Sequence, residues 1–179
     1  MCVCVCECIE IIQNPLIIIH LLSVGLSEDT RWLFLYNNNI TEITAGDFRG
    51  LTKIERLYLS NNRINRIDSE AFQSSAKVIK EIYLSANNLT VIQPGTFAGL
   101  TSAIAIRLDN NQIRELPPRV FEDLSSLIAL HLHNNTLTGI PSGLFDAQKN
   151  LTYLTLSNNQ LTTLPRDIFN NLGMHLLSL

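Results

Sequence analysis

The chain has almost nothing with which to cross-link itself. Its four cysteines, Cys2, Cys4, Cys6 and Cys8, are confined to the amino-terminal end of 179 residues, so residues 9–179 must be held by packing and hydrogen bonding rather than by disulfides among themselves. An excess of basic charge is also lacking: 13 Lys and Arg against 16 Asp and Glu give a formal charge of −3, which argues against a nucleic-acid partner or an anionic membrane surface. The longest uncharged stretch, 11–27, is interrupted by Gln13, Asn14, Pro15 and His20. It is too short and too polar for a spanning helix, and no membrane insertion by this segment is expected. Phosphate-cradling glycine loops are absent, and nothing groups a nucleophile, a base and oxyanion donors, so neither a cofactor nor catalysis is expected. The alternating cysteines have no His and no second Cys group at ligand spacing, and no metal site is expected on them.

What the chain does have is one phrase, clearest at Ile54–Ile64 as IERLYLSNNRI, of the form LxxLxLxxNxL. It starts at Thr30, Ile54, Ile79, Ala103, Leu127 and Leu151, in steps of 24, 25, 24, 24 and 24 residues. A fixed period of this length marks stacked repeats, each too small to bury its apolar face alone. Positions four and six are apolar throughout, with Leu57 and Leu59 as the example, and two apolar residues around one polar residue read as a strand with one buried face. Position nine is Asn38, Asn62, Asn87, Asn111, Asn135 and Asn159, an amide column suited to satisfying the backbone of its own turn and of the adjacent repeat. Positions eleven, fourteen and nineteen complete the expected interior, the last with Phe48, Phe72, Phe97, Phe121, Phe145 and Phe169.

These residues resemble the leucine-rich repeat family, and the longer form seen at 103–124 is similar to its 24-residue class, found in variable lymphocyte receptors, Slit and Toll-like receptor ectodomains. The resemblance implies an α/β-class solenoid, a horseshoe with a parallel concave sheet, an irregular convex side and few helices. Pro and Gly after position fourteen, such as Pro94, Gly95, Pro117 and Pro118, agree with an irregular convex side. The expected organisation is a degenerate cap over 1–29, six repeats (30–53, 54–78, 79–102, 103–126, 127–150 and 151–173), and the start of a truncated seventh at 174–179. Because MHLLSL at Met174–Leu179 opens a strand that nothing follows, the chain is expected to be a fragment, a truncated gene product or an engineered chain. The repeat at 54–78 carries one extra residue and has Ser75 where others have Leu51, Leu100, Leu124 or Leu172, which predicts a local bulge.

The family closes its first repeat with a disulfide-bonded cap, which Leu26–Thr30 (LSEDT) resembles, yet no cysteine follows Cys8. In an extended segment alternate cysteines stand about 6.7 Å apart, at the limit for a bridge. The alternation of CVCVCECIEI therefore reads best as an extra edge strand. The other readings are a poor signal peptide over Leu16–Leu22, against Glu7 and Glu10, and a thiolate metal site.

Positions three, five, seven and eight alternate with the buried pair and face outward from the sheet. The ligand-binding candidates there are Trp32, Phe34, Tyr36, Arg56, Tyr58, Glu81, Tyr83, Arg107, Asp109, His131 and His133, with Tyr153 and Thr155 on the same face. Aromatics beside Arg are common interface anchors, so the expected function is non-enzymatic recognition of a protein or glycan on the concave face, as in an immune or cell-surface receptor. Replacing Tyr58 and Tyr83 by Ala is expected to abolish binding without moving the unfolding midpoint. The alternative is a structural or adaptor scaffold, in the matrix or inside the cell, that uses its rim or convex surface. Four glycosylation sequons, at Asn39, Asn88, Asn134 and Asn150, favour an extracellular setting. A glycan on Asn134, at position eight, would crowd the concave face.

Overall fold

In the computed structural model the described residues are 26–172 and a strand at Cys8–Glu10. The cysteine pairing, the signal-peptide reading of Leu16–Leu22 and the partial seventh repeat at Met174–Leu179 lie outside them. The chain winds into a parallel-sheet solenoid with one turn per sequence repeat. Strands β1 (Cys8–Glu10), β2 (Trp32–Phe34), β4 (Arg56–Tyr58), β6 (Glu81–Tyr83), β7 (Ala105–Arg107), β8 (Ala129–His131) and β9 (Tyr153–Thr155) form one seven-stranded sheet, in that order. On the opposite side β3 (Glu42–Ile43) pairs with β5 (Arg66–Ile67). Register follows the repeat: Leu33 pairs with Leu57, Leu57 with Ile82, and so on to Leu130 with Leu154.

Each strand is short because the repeat turns at once. At position eight Asn37, Asn61, Ala86, Asn110, Asn134 and Asn158 take φ between 54° and 56°, a left-handed conformation that Asn tolerates better than most residues. The amide at position nine then joins its own coil to the preceding one. The side-chain Nδ2 of Asn111 donates to the carbonyls of Leu84 (3.0 Å), Leu108 (3.1 Å) and Asp109 (3.2 Å), while its Oδ1 accepts from the N–H of Leu89 at 3.1 Å. The same pattern recurs at Asn62, Asn87, Asn135 and Asn159.

The interior is apolar and continuous, with Leu33, Leu57, Ile82, Ile106, Leu130 and Leu154 all at most 1% exposed. Phe rings stack along the far side of the core at 5.9 to 6.3 Å from Phe48 to Phe145. Neighbouring strands are about 4.8 Å apart, so each coil is wider at the Phe column than at the sheet. The stack must bend with the sheet inside, which makes the sheet face concave. At the last described coil Leu164, expected in the interior, is 40% exposed, and Phe169 is only partly buried.

Two polar residues enter the core wall at position 22. In the longer repeat a 3-10 helix, Gln73–Ser75, brings Ser75 to this position, and the extra residue falls after it, between Ser75 and Ile79. Ser75 is 4% exposed; its hydroxyl donates to the Leu51 carbonyl and accepts from the N–H of Ile54. Gln148 takes this position in the fifth repeat, its amide Nε2 donating to the Phe121 carbonyl at 2.6 Å while its Oε1 is buried with no hydrogen-bond partner among the described residues. Most buried polar groups in folded chains have such partners.

Candidate functional site

The concave face is built from the outward positions of the strands, and parallel in-register pairing sets residues of one column side by side. At position five the rings of Phe34, Tyr58 and Tyr83 stack face to face at 4.5 and 4.6 Å. Arg107 closes this row, its guanidinium 5.6 Å from the centre of the Tyr83 ring. Tyr36 meets Phe34 edge-on at 6.3 Å. Beside this row, position three carries Trp32, over which Arg56 lies at 5.2 Å, and Arg56 in turn reaches Glu81 at 3.1 Å. Glu81 also accepts from the Tyr83 hydroxyl at 2.5 Å. Burial, then this carboxylate, push the Tyr83 phenol up to about 12. Eight of the candidates thus form one connected aromatic and charged band over the first four strands of the repeats: Trp32, Phe34, Tyr36, Arg56, Tyr58, Glu81, Tyr83 and Arg107.

Stacking changes one expectation. Each ring pair contributes about 0.5 to 1.5 kcal/mol beyond area burial, so removing Tyr58 and Tyr83 together will lower the unfolding midpoint as well as alter the face.

The remaining candidates form a second group. His131 and His133 meet at 6.1 Å, and His131 lies 5.1 Å from Tyr153. Burial, then the neighbouring Arg107, hold the His131 imidazole below its ordinary range. Asp109 departs from the outward-facing expectation. It is 6% exposed, with Oδ1 accepting from Ser85 Oγ at 2.8 Å and Oδ2 from Asn110 Nδ2 at 2.7 Å. His133 bridges Asp109, at 3.7 Å from Nε2, and Thr155, at 2.9 Å from Nδ1. Asp109 and Thr155 therefore position neighbours and offer little surface to a ligand. Among the described residues no group of three or more His, Cys, Asp or Glu is arranged to hold a metal, and no helix is long and apolar enough to cross a membrane.

A rim runs along the strand starts at position two, which residue-type reasoning passes over because the position is not part of the repeat phrase. Glu55 lies between Arg31 Nη1 at 2.5 Å and Lys80 Nζ at 2.6 Å. The Lys80 hydrogen bond, with Arg31 assisting against burial, holds its carboxyl below the usual range. In the two repeats after Lys80 the same column carries Ile104 and Ile128, the latter 46% exposed. The signal was the spacing of 24 and 25 residues between opposite charges.

The four sequons are not equivalent. Asn39, Asn88 and Asn150 are exposed. Asn134 is tied into a second amide row: its Nδ2 donates to Asn110 Oδ1 at 2.9 Å, and its Oδ1 accepts from Asn158 Nδ2 at 2.7 Å.

Compared with known proteins, residues 29–78, 77–137 and 126–179 match the family described as leucine rich repeat. Over 48 residues the chain is 48% identical to human opticin and 46% identical to bovine opticin. That stretch is 27% of this chain, and it is 14% of the human protein and 15% of the bovine one. The chain therefore matches only a small part of these relatives.

Proposed function

From the premise that the chain belongs to the leucine-rich repeat family, whose stacked coils serve as protein-interaction modules, we propose that it recognises a protein on its concave face. The observation that carries this reading is the row Phe34–Tyr58–Tyr83–Arg107. Its rings are already stacked on one another, an ordering that lowers the side-chain entropy lost on binding, and it combines the residue types that anchor interfaces. A protein is favoured over a glycan because the ring faces that would stack on a sugar are already used against one another. What remains for a partner is ring edges, hydroxyls and guanidinium groups. The setting we propose is extracellular, with carbohydrate on Asn39, Asn88 and Asn150 outside the concave face.

Screening the chain against a panel of displayed ectodomains and secreted proteins tests this. For any partner found, Trp32→Ala and Tyr58→Ala should weaken binding while Val91→Arg, at an exposed site off the sheet face, should not. The reverse pattern would move the site to the outer surface and support the scaffold alternative. Secretory expression followed by glycosidase treatment should give a mass shift; no shift at any of the exposed sequons would contradict the extracellular setting.

A further inference from the structure

Among the described residues, cations on the inner sheet and its rim are paired with neighbouring carboxylates, with one exception. Arg56 pairs with Glu81, and Arg31 and Lys80 both pair with Glu55. Arg107 is exposed and meets the Tyr83 ring, yet no carboxylate among the described residues pairs with it. Asp109, the acid nearest in sequence, has its oxygens committed to Ser85 and Asn110.

The surroundings of Arg107 are equally specific. Along position three the bulky Trp32, Arg56 and Glu81 give way to Ala105 and Ala129 before Tyr153 restores the height. Ile104 and Ile128 border that step on the rim, where the previous repeats carry the Arg31–Glu55–Lys80 ion pairs. The result is a shallow apolar step, walled by Glu81 on one side and Tyr153 on the other, with Arg107 and in-register His131 along its upper edge.

We propose that this step, Ala105 and Ala129 with Ile104 and Ile128 below the unpaired Arg107, binds an acidic–aliphatic segment of a protein partner, an aliphatic side chain lying over the alanines and a carboxylate on the guanidinium. The assignment rests on the concave-face reading and gives it a ligand chemistry. Charge complementarity decides it. A buried aliphatic group alone would leave Arg107 unpaired under the partner, which is costly, whereas a carboxylate makes a two-pronged charge-assisted contact. Arg107 is also the cation that lowers His131. An anion on Arg107 should offset that influence and raise the titration of His131, whose other charged or titratable neighbours are Asp109, His133 and Tyr153.

The test is nuclear magnetic resonance titration of the whole chain with N-acetyl-leucine, a carboxylate next to an aliphatic body, against N-acetyl-leucinamide, which lacks the charge. The acid should shift the Arg107 Nε–H and the Ala105 and Ala129 methyls saturably and raise the His131 midpoint, with the amide weaker by roughly tenfold. Arg107→Gln should abolish the difference between the probes, while Arg107→Lys retains part of it. An equal response to both probes would overturn the proposal, as would an unchanged response in Arg107→Gln, or no saturable shift at about 50 mM probe, where weak contacts are populated. Tighter binding of a sulfated disaccharide to the same residues would also overturn it, assigning the cation to a glycan. If a protein partner needs Trp32 and Tyr58 but ignores Arg107→Gln, this inference fails and the concave-face reading stands. A partner held by the outer surface would instead remove that reading.

Discussion

The amide column makes a prediction that depends on sharing. The position-six carbonyls from Leu35 to Leu132 each receive two amides: Leu84 O accepts from Asn87 at 3.1 Å and from Asn111 at 3.0 Å, and Leu108 O from Asn111 at 3.1 Å and Asn135 at 2.9 Å. In Asn111→Ala, therefore, neither carbonyl is stranded. The group left without a partner is the buried N–H of Leu89, at about 1 to 3 kcal/mol for an unsatisfied buried donor. With the lost net value of the shared bonds, the single substitution should cost about 2 to 3 kcal/mol. Asn87→Ala likewise strands the N–H of Ile64 and should cost a similar amount. In the double variant Leu84 O loses both donors at once, so the sum of the singles should be exceeded by about 1 to 2 kcal/mol. Asn62 and Asn111 share no carbonyl, and their double variant should be additive within about 0.5 kcal/mol. Urea unfolding followed by circular dichroism gives all the values needed for both cycles. Equal coupling in the two cycles, or none in either, would refute the view that shared carbonyls link the coils.

Other expectations follow from single sites. Arg119 has φ of 62° at a position where Gly95 and Gly143 stand in the adjacent repeats, within a turn closed by Val120 N–H to Pro117 O; Arg119→Gly should stabilise the chain by up to about 1 kcal/mol, the relieved strain less glycine's entropy, and a lower midpoint would contradict this. Glu55, depressed in the folded chain, contributes stability that is present above the unfolded carboxylate range and lost as pH falls through the lower folded value. Stability measured below about pH 4.3 should therefore fall less steeply for Glu55→Gln than for the parent. For Tyr83, raised to about 12, the sign is opposite: its contribution is present below the unfolded phenol range near 10 and lost as pH rises through the folded value. Absorbance titration should show a late-ionising tyrosine that Tyr83→Phe removes.

Much of this molecule is legible from one period and two alternations. The recurrence of LxxLxLxxNxL requires stacking, because a single copy cannot cover its own leucines, and the polar positions between those leucines must then share one face. In-register strands put Tyr58 between Phe34 and Tyr83 as a matter of counting. Counting does not tell which neighbours satisfy each other. That Asp109 turns into hydrogen bonds with Ser85 and Asn110, that Glu55 takes two cations, and that Asn134 is bound on both sides by other amides depend on rotamers and on distances between coils. The same holds for Gln148, whose amide reaches the carbonyl of Phe121 in the preceding coil. Periodicity acts through the backbone, where each repeat meets identical geometry. The outcome at a polar side chain is set by the few neighbours within hydrogen-bonding range, and these differ from coil to coil. So the chain's own pattern decides the solenoid and its exposed face, while only the packed coils decide that, among the described residues, Arg56 is paired with Glu81 and Arg107 meets a tyrosine ring but no carboxylate.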